Sequence, residues 1–154
     1  QGHGEVGPRA LGNRTILMNP TIQNRKDILN KRVKHREYFR PFGASVIVDR
    51  CEEFFEWQYD SPYMLYVMNV VDPITFAPIT HIDGTCRPQT VSEDHEIYYE
   101  LITEFEKLTG IPMLLNTSLN NGGKPICGSP NEAIELFSNS DMDCLVVGDH
   151  VLHK

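Results

Sequence analysis

Apolar and polar positions follow two different spacings along this chain, and the change of spacing marks its elements. Residues 42–49 (FGASVIVD) and 63–71 (YMLYVMNVV) are rich in β-branched and aromatic residues and are predicted strands. Residues 85–91 form a weaker strand, in which Pro88 points to an edge or a bulge. Residues 111–116 and 144–148 are short apolar runs of buried-strand type, with Val151 and Leu152 continuing after a turn. Residues 94–109 have helical spacing: Ile97, Leu101, Phe105 and Leu108 fall on one predicted face, and Gly110 supplies the stop. Ser129-Pro130 opens another helix through Phe137, with Ser as cap, Pro at the first helical position and Glu132 in the first turn. A less regular helix is predicted over residues 20–34, after the Asn19-Pro20 turn. Strands interleaved with helices predict an α/β layered domain with a mixed sheet and flanking helices.

Composition narrows this picture. The 154 residues suit one domain that buries a core without disulfide or metal staples. No apolar run approaches the roughly 18–20 residues of a membrane span, and the N-terminus has no hydrophobic signal core. Cys51, Cys86, Cys127 and Cys144 contain no CxxC or CxxH pairing, which argues against a zinc ribbon. Cys127 and Cys144 lie in apolar, strand-like stretches, where buried free thiols are expected, so the setting reads as reducing and cytoplasmic. The chain opens at Gln1 directly on a glycine-rich loop with no preceding strand, the pattern expected of a piece of a longer protein.

Charge is unevenly placed. Residues 1–40 hold nine of the 14 Lys/Arg and three of the 21 acids, so a segment of +6 precedes a remainder of −13. An acidic protein with a basic segment binds anions locally rather than over its whole surface.

Three clusters could carry chemistry. In residues 7–14 (GPRALGNR), glycines allow close backbone approach and Arg9 and Arg14 present guanidinium groups, although the spacing fits neither GxGxxG nor a Walker loop. In residues 34–42 (KHREYFRPF), an extended backbone would project Lys34, Arg36 and Arg40 from one side beside Phe39 and Phe42. Such a trio holds phosphate, or alternatively complements a helix C-terminus. In residues 115–123 (LNTSLNNGG), a buried strand ends in hydroxyls and amides, where α/β folds bind ligands; a plain turn is the competing reading. Ser118 and Asn120, two apart, would face the same way, and Ser118 has no paired base, so it reads as a hydrogen-bonding group rather than a nucleophile. His81, with Asp83 and Arg87 nearby, fits metal ligation, acid–base work or, more commonly for a lone His beside a turn, a structural role.

Four blocks carry a resemblance: GPRALGNRTI at 7–16, KHRExFRPF at 34–42, ITHIDGTCRxQTV at 79–91 and LLNTSLNxxGxPI at 114–126. In this order they resemble the C-terminal domain of the O-carbamoyltransferases, the family of nodulation-factor and antibiotic carbamoyltransferases. The resemblance implies a YrdC-like α/β fold that takes ATP, with Mg²⁺ carried mainly by the nucleotide, and carbamoyl phosphate, and forms carbamoyl adenylate. It also implies that an N-terminal domain of the same polypeptide, with its own metal, delivers the carbamoyl group to an acceptor hydroxyl. Lys34, Arg40 and Ser118 would then serve the reaction, with Arg9, Arg36, His81, Arg87, Thr117 and Asn120 binding substrate or nucleotide and no protein-held metal in this domain. Association as a homodimer is a further expectation. His3, Leu119 and Lys124 depart from the residues usual at those places (Arg, Phe and an acid). The alternative is a YrdC-like nucleotide- or RNA-binding module, for which the mixture of cations and aromatics in residues 32–40 speaks and the acidic remainder does not.

Overall fold

A computed structural model describes residues 1–57 and 59–154. In chain order its elements are β1 (Thr15–Met18), α1 (Arg25–Ile28) continued by a π turn (Leu29–Val33), β2 (Gly43–Ile47), β3 (Met68–Asn69), β4 (Thr85–Cys86), β5 (Pro88–Val91), α2 (Glu96–Thr109), β6 (Met113–Ser118), α3 (Pro130–Ser138), β7 (Cys144–Val147) and β8 (His150–His153). The main sheet has the order β1-β6-β2-β5, while β3-β4 and β7-β8 form two separate antiparallel pairs. β6 runs antiparallel to both β1 and β2, and β2 runs parallel to β5, so the sheet is mixed.

Alternation along the strands divides the core between two faces. Leu114 and Ile47 point toward α2, where Tyr98 and Ile102 meet them together with Val91. Ala44, Val46, Met113 and Leu115 point the other way, into the larger cluster with Leu29, Val33, Phe55, Ile79 and the α3 residues Ala133, Leu136 and Phe137. Burial of each large aliphatic side chain contributes about 1.5–3 kcal/mol.

The two longer helices end as their sequences require. Gly110 takes φ 76°, the left-handed cap in which its amide bonds the Glu106 carbonyl. At α3 the Ser129 hydroxyl accepts the Glu132 amide, and the Glu132 carboxylate accepts back from the Ser129 amide, a complete capping box. Pro88 does fall on an edge, at the start of β5.

Several expectations are corrected. The helix predicted over residues 20–34 starts only at Arg25, because the Asn19 side chain accepts the Thr21 amide (2.9 Å) and hydroxyl (2.8 Å) in a turn that delays it. The strand predicted over residues 63–71 shrinks to β3: Met64 turns the chain at φ 52°, and Tyr63, Leu65 and Tyr66 are exposed. β1 is a strand where none was predicted, and β7 and β8 pair with each other rather than extending the main sheet. Of the predicted apolar face of α2 only Phe105 packs against the core, partly buried. Tyr98 and Ile102 are buried, while Ile97, Leu101 and Leu108 are exposed. Both stripes are apolar, and packing against Ile47 and Leu114 chose between them. Among the described residues all four cysteines are free; Cys51 and Cys86 are buried, but Cys144 is exposed, since it lies at the start of a two-stranded hairpin.

A buried polar network crosses the sheet. Ser45 Oγ donates to Gln89 Oε1 (2.9 Å) and accepts from Asn116 Nδ2 (2.8 Å), so β2, β5 and β6 are joined through their side chains. Asn116 Nδ2 also reaches the Ala10 carbonyl (3.1 Å), and Gln89 Nε2 reaches that of Leu11 (2.9 Å). These bonds pin the glycine-rich loop to the sheet. Among the described residues no helix is long and apolar enough to cross a membrane.

Candidate functional site

The strand directions place the end of β6 at the same end of the sheet as the starts of β1, β2 and β5. Residues 9–14, 36–42, 87 and 117–120 therefore gather at one edge, although they are far apart in sequence. Each arrives there by a separate local device.

Glu5 shapes the first loop. Its Oε1 accepts the amides of Leu11 (2.9 Å), Asn13 (2.8 Å) and Arg14 (3.2 Å), a backbone nest closed by the chain's own carboxylate. Burial pushes this carboxyl up, but the amides outweigh it and hold it below the usual range. A lowered folded value means that the contribution to stability is present above the ordinary carboxylate pKa and lost as pH falls through the folded one. Glu5→Gln is expected to destabilise by about 1 kcal/mol at neutral pH, modest because the group is half-exposed. Thermal melts should show the gap to the parent protein closing in acid.

The π turn aims Lys34. Its amide bonds the Leu29 carbonyl five residues back (2.8 Å), and His35 follows at φ 48°, reversing the chain. Residues 34–42 are therefore not the extended segment expected from their charge spacing. Lys34 is buried, and its Nζ donates to the Ser118 carbonyl (2.6 Å), the Asn120 carbonyl (2.9 Å) and Asn120 Oδ1 (2.6 Å), with Ser118 Oγ at 3.4 Å. Burial and the nearby Arg36 and Arg40 lower its pKa to about 7, against oxygens that favour the ammonium. Ser118 Oγ donates to Asn120 Oδ1 (2.7 Å), so these two side chains lie on the same side, as their spacing suggests. The Gly122 amide bonds the Lys34 carbonyl (2.8 Å), and a Cβ there would lie 2.4 Å from that oxygen, which only glycine permits.

Asn30 holds the next cations, and sequence reasoning missed it. Buried on the π turn, it donates to the Tyr38 (3.2 Å) and Arg40 (3.1 Å) carbonyls and accepts from Arg36 Nε (2.7 Å). Its neighbours in sequence are Leu29 and the cations Lys31 and Arg32, so nothing local marked it as a buried amide. Arg36 lies over the Phe42 ring at 4.6 Å and donates to the Pro41 carbonyl (3.2 Å). Burial and Arg40 bring it down to about 10, so it stays charged at neutrality. Arg40 is about half exposed, with Glu37 at 3.8 Å.

Arg87 enters from the opposite side, between β4 and β5. Its Nε is buried with no hydrogen-bond partner among the described residues. Burial lowers its pKa, and Arg9 lowers it further, so two like charges are held close together. His81 is half-buried, its Nδ1 3.3 Å from Thr85 Oγ1; burial lowers its pKa, Asp83 pulls the other way, and Arg87 and Lys26 lower it further. Thr117, half-buried, lies opposite Ile16 in β6. Lys34, Ser118 and Asn120 are thus in direct contact, with Arg36 and Arg40 near enough to act on Lys34's charge. Arg9, Arg87 and His81 form a second group, in which Arg9 acts on the charge of Arg87 and Arg87 on that of His81, and Arg87 directly precedes β5. Among the described residues no three His, Cys, Asp or Glu could hold a metal together. The edge offers cations, amides and hydroxyls, the donor set for a polyanion.

The whole chain, residues 1–154, matches the family described as Carbamoyltransferase C-terminus. It is 45% identical over 161 residues to nodulation protein NolNO of Sinorhizobium fredii and 44% identical over 160 residues to nodulation protein NolO of Bradyrhizobium diazoefficiens. Both matches cover 100% of this chain but only 24% and 29% of the relatives, so the chain spans about a quarter of their length. Nodulation protein U of Rhizobium tropici is 43% identical over 128 residues, which cover 80% of this chain and 22% of that protein.

Proposed function

Because this chain belongs to the carbamoyltransferase C-terminus family, we propose that it binds ATP and carbamoyl phosphate at the cationic sheet edge and joins them as carbamoyl adenylate. We read its layers as a YrdC-like scaffold. The observation that carries the proposal is Arg87, a guanidinium with a buried, unpartnered Nε beside a second arginine. Such a pair is stable once an anion lies between the charges.

The chemistry explains why several cations are needed. A carbamoyl oxygen must bond to the α-phosphorus while pyrophosphate leaves, and the phosphate of carbamoyl phosphate must depart separately as inorganic phosphate, with water supplying the oxygen. Two anions have to be brought together, and positioning plus charge neutralisation lower that barrier. Arg9 and Arg87 would grip one anion, and Arg36 and Arg40 the other. Lys34 spends its donors on the turn that carries Ser118 and Asn120, so it presents their hydroxyl and amide to the reacting groups. Thr117 and His81 lie at the margin. Among the described residues there is no carboxylate cluster, and Mg²⁺ would ride on the triphosphate oxygens. Transfer to an acceptor hydroxyl then belongs to the N-terminal part of the longer polypeptide.

The test is exchange of labelled pyrophosphate into ATP by the full-length protein. Exchange that requires carbamoyl phosphate supports the proposal. Binding of ATP with no such exchange, or salt-sensitive retention of RNA instead, overturns it.

A further inference from the structure

A groove of about 800 Å³ runs along the side of the main sheet away from β5, between β1, the outer side of α2 and β7. Its walls have open hydrogen-bonding edges. β1 ends the sheet, with β6 on one side and no strand on the other among the described residues. The Arg14 carbonyl accepts the Leu119 amide across the β1–β6 register. By antiparallel alternation, Ile16 and Met18 bond β6 while Thr15 and Leu17 direct their amides and carbonyls outward. The same reasoning applies to β7, where the Lys154 amide bonds the Asp143 carbonyl, so Cys144 and Val146 turn their backbone groups away from β8. Over the groove lie Ile97 and Leu101, 63% and 47% exposed, on a helix whose other apolar stripe already fills the core. Apolar side chains above an open strand edge form an unfinished layer.

The chain's first residue lies at the rim. The Gln1 amine bonds the Asn13 carbonyl (2.9 Å), before β1, and Gln1 Nε2 bonds the Gly148 carbonyl (3.0 Å), after β7. Arg14 clamps the same residue through the carbonyls of Gln1 and Gly2. Gln1 thus bridges the two lips. A peptide nitrogen at this position would still donate to Asn13, so the bridge holds when polypeptide precedes it.

We propose that the groove is occupied, in the full-length protein, by the segment immediately preceding Gln1, extended along β1 as a fifth strand with its apolar side chains against Ile97 and Leu101. The relatives supply the length: this chain accounts for 24% and 29% of two of them and matches a family described as a C-terminus, so hundreds of residues lie upstream there. The rim supplies the direction, since a segment leaving Gln1 starts between the two open edges. The inference is independent of which anions the sheet edge binds.

Residue-resolved hydrogen exchange on the full-length protein tests it. The Thr15 and Leu17 amides are expected to exchange about a hundredfold more slowly than open-edge amides, independent of protein concentration. In parallel, Ile97→p-benzoylphenylalanine, at an exposed position that tolerates the ring, is expected to cross-link on irradiation to residues upstream of Gln1 within the same molecule. Free exchange at Thr15 and Leu17 overturns the proposal. So does protection that fades on dilution together with cross-links between molecules, which would identify a second copy as the occupant.

Discussion

Arg87→Ala is expected to lower carbamoyl-phosphate-dependent ATP–pyrophosphate exchange in the full-length protein by about 10²–10³-fold, the loss typical of one preorganised donor to a developing anion. Its effect on stability should be small or slightly favourable. Arg87 makes no ion pair among the described residues, and removing it relieves Arg9 of a like charge. An unfolding free energy within about 0.5 kcal/mol of the parent protein, together with the lost exchange, is therefore the expected result. Arg87→Lys should recover little, because an ammonium cannot reproduce the guanidinium fork. Exchange at the parental rate in Arg87→Ala would remove this arginine from the anion-binding set.

Lys34→Met should behave differently, although both residues are cations at one edge. The Lys34 ammonium satisfies two backbone carbonyls and the Asn120 side chain, and the substitution leaves those oxygens without a donor. Each orphaned acceptor costs about 1–3 kcal/mol, offset in part by removing a buried charge, so a net loss on the order of 2–3 kcal/mol is expected in urea unfolding. Exchange should fall as well, because the Ser118–Asn120 turn loses its anchor. The pH dependence distinguishes this residue. Its folded pKa is near 7, while the unfolded chain keeps the ordinary lysine value, so the unfolded state binds more protons between the two. Stability from this group therefore rises with pH above about 7, and Lys34→Met lacks that rise. The gap between the two proteins should widen from pH 7 to pH 9; a constant gap would show that Lys34 is not held in a depressed state.

The contrast between these two cations marks where sequence reading stops. The four motif blocks point to the family, and the apolar spacing finds α2, α3 and β2, with Gly110 ending α2 and Ser129 opening α3. Those signals are local. Which face of α2 is buried is not local, because Ile97 and Leu101 are as apolar as Tyr98 and Ile102, and only the packed sheet decides between them. Lys34 is a similar case. Even spacing with Arg36 and Arg40 suggests three parallel cations, but a π turn and acceptors some 84 residues away draw Lys34 inward. Asn30, Glu5 and the Ser45–Gln89–Asn116 network are polar groups whose partners lie on other elements, so their roles were legible only once the chain had folded.

The order of strands in the sheet has a consequence for how this domain is made. β6 lies between β1 and β2, yet it is the last of the four to leave the ribosome. Until residue 118 has emerged, β1 has no β6 to pair with, and within the four-stranded sheet only the parallel β2–β5 pairing is within reach of the nascent chain. Closure of the β1–β6 ladder links Thr15 to Ser118, a long loop to shut in a single step, which places this domain among the slower folders. During that interval the half-built sheet is where chaperones would be expected to act, and synthesis at low temperature should raise the soluble yield.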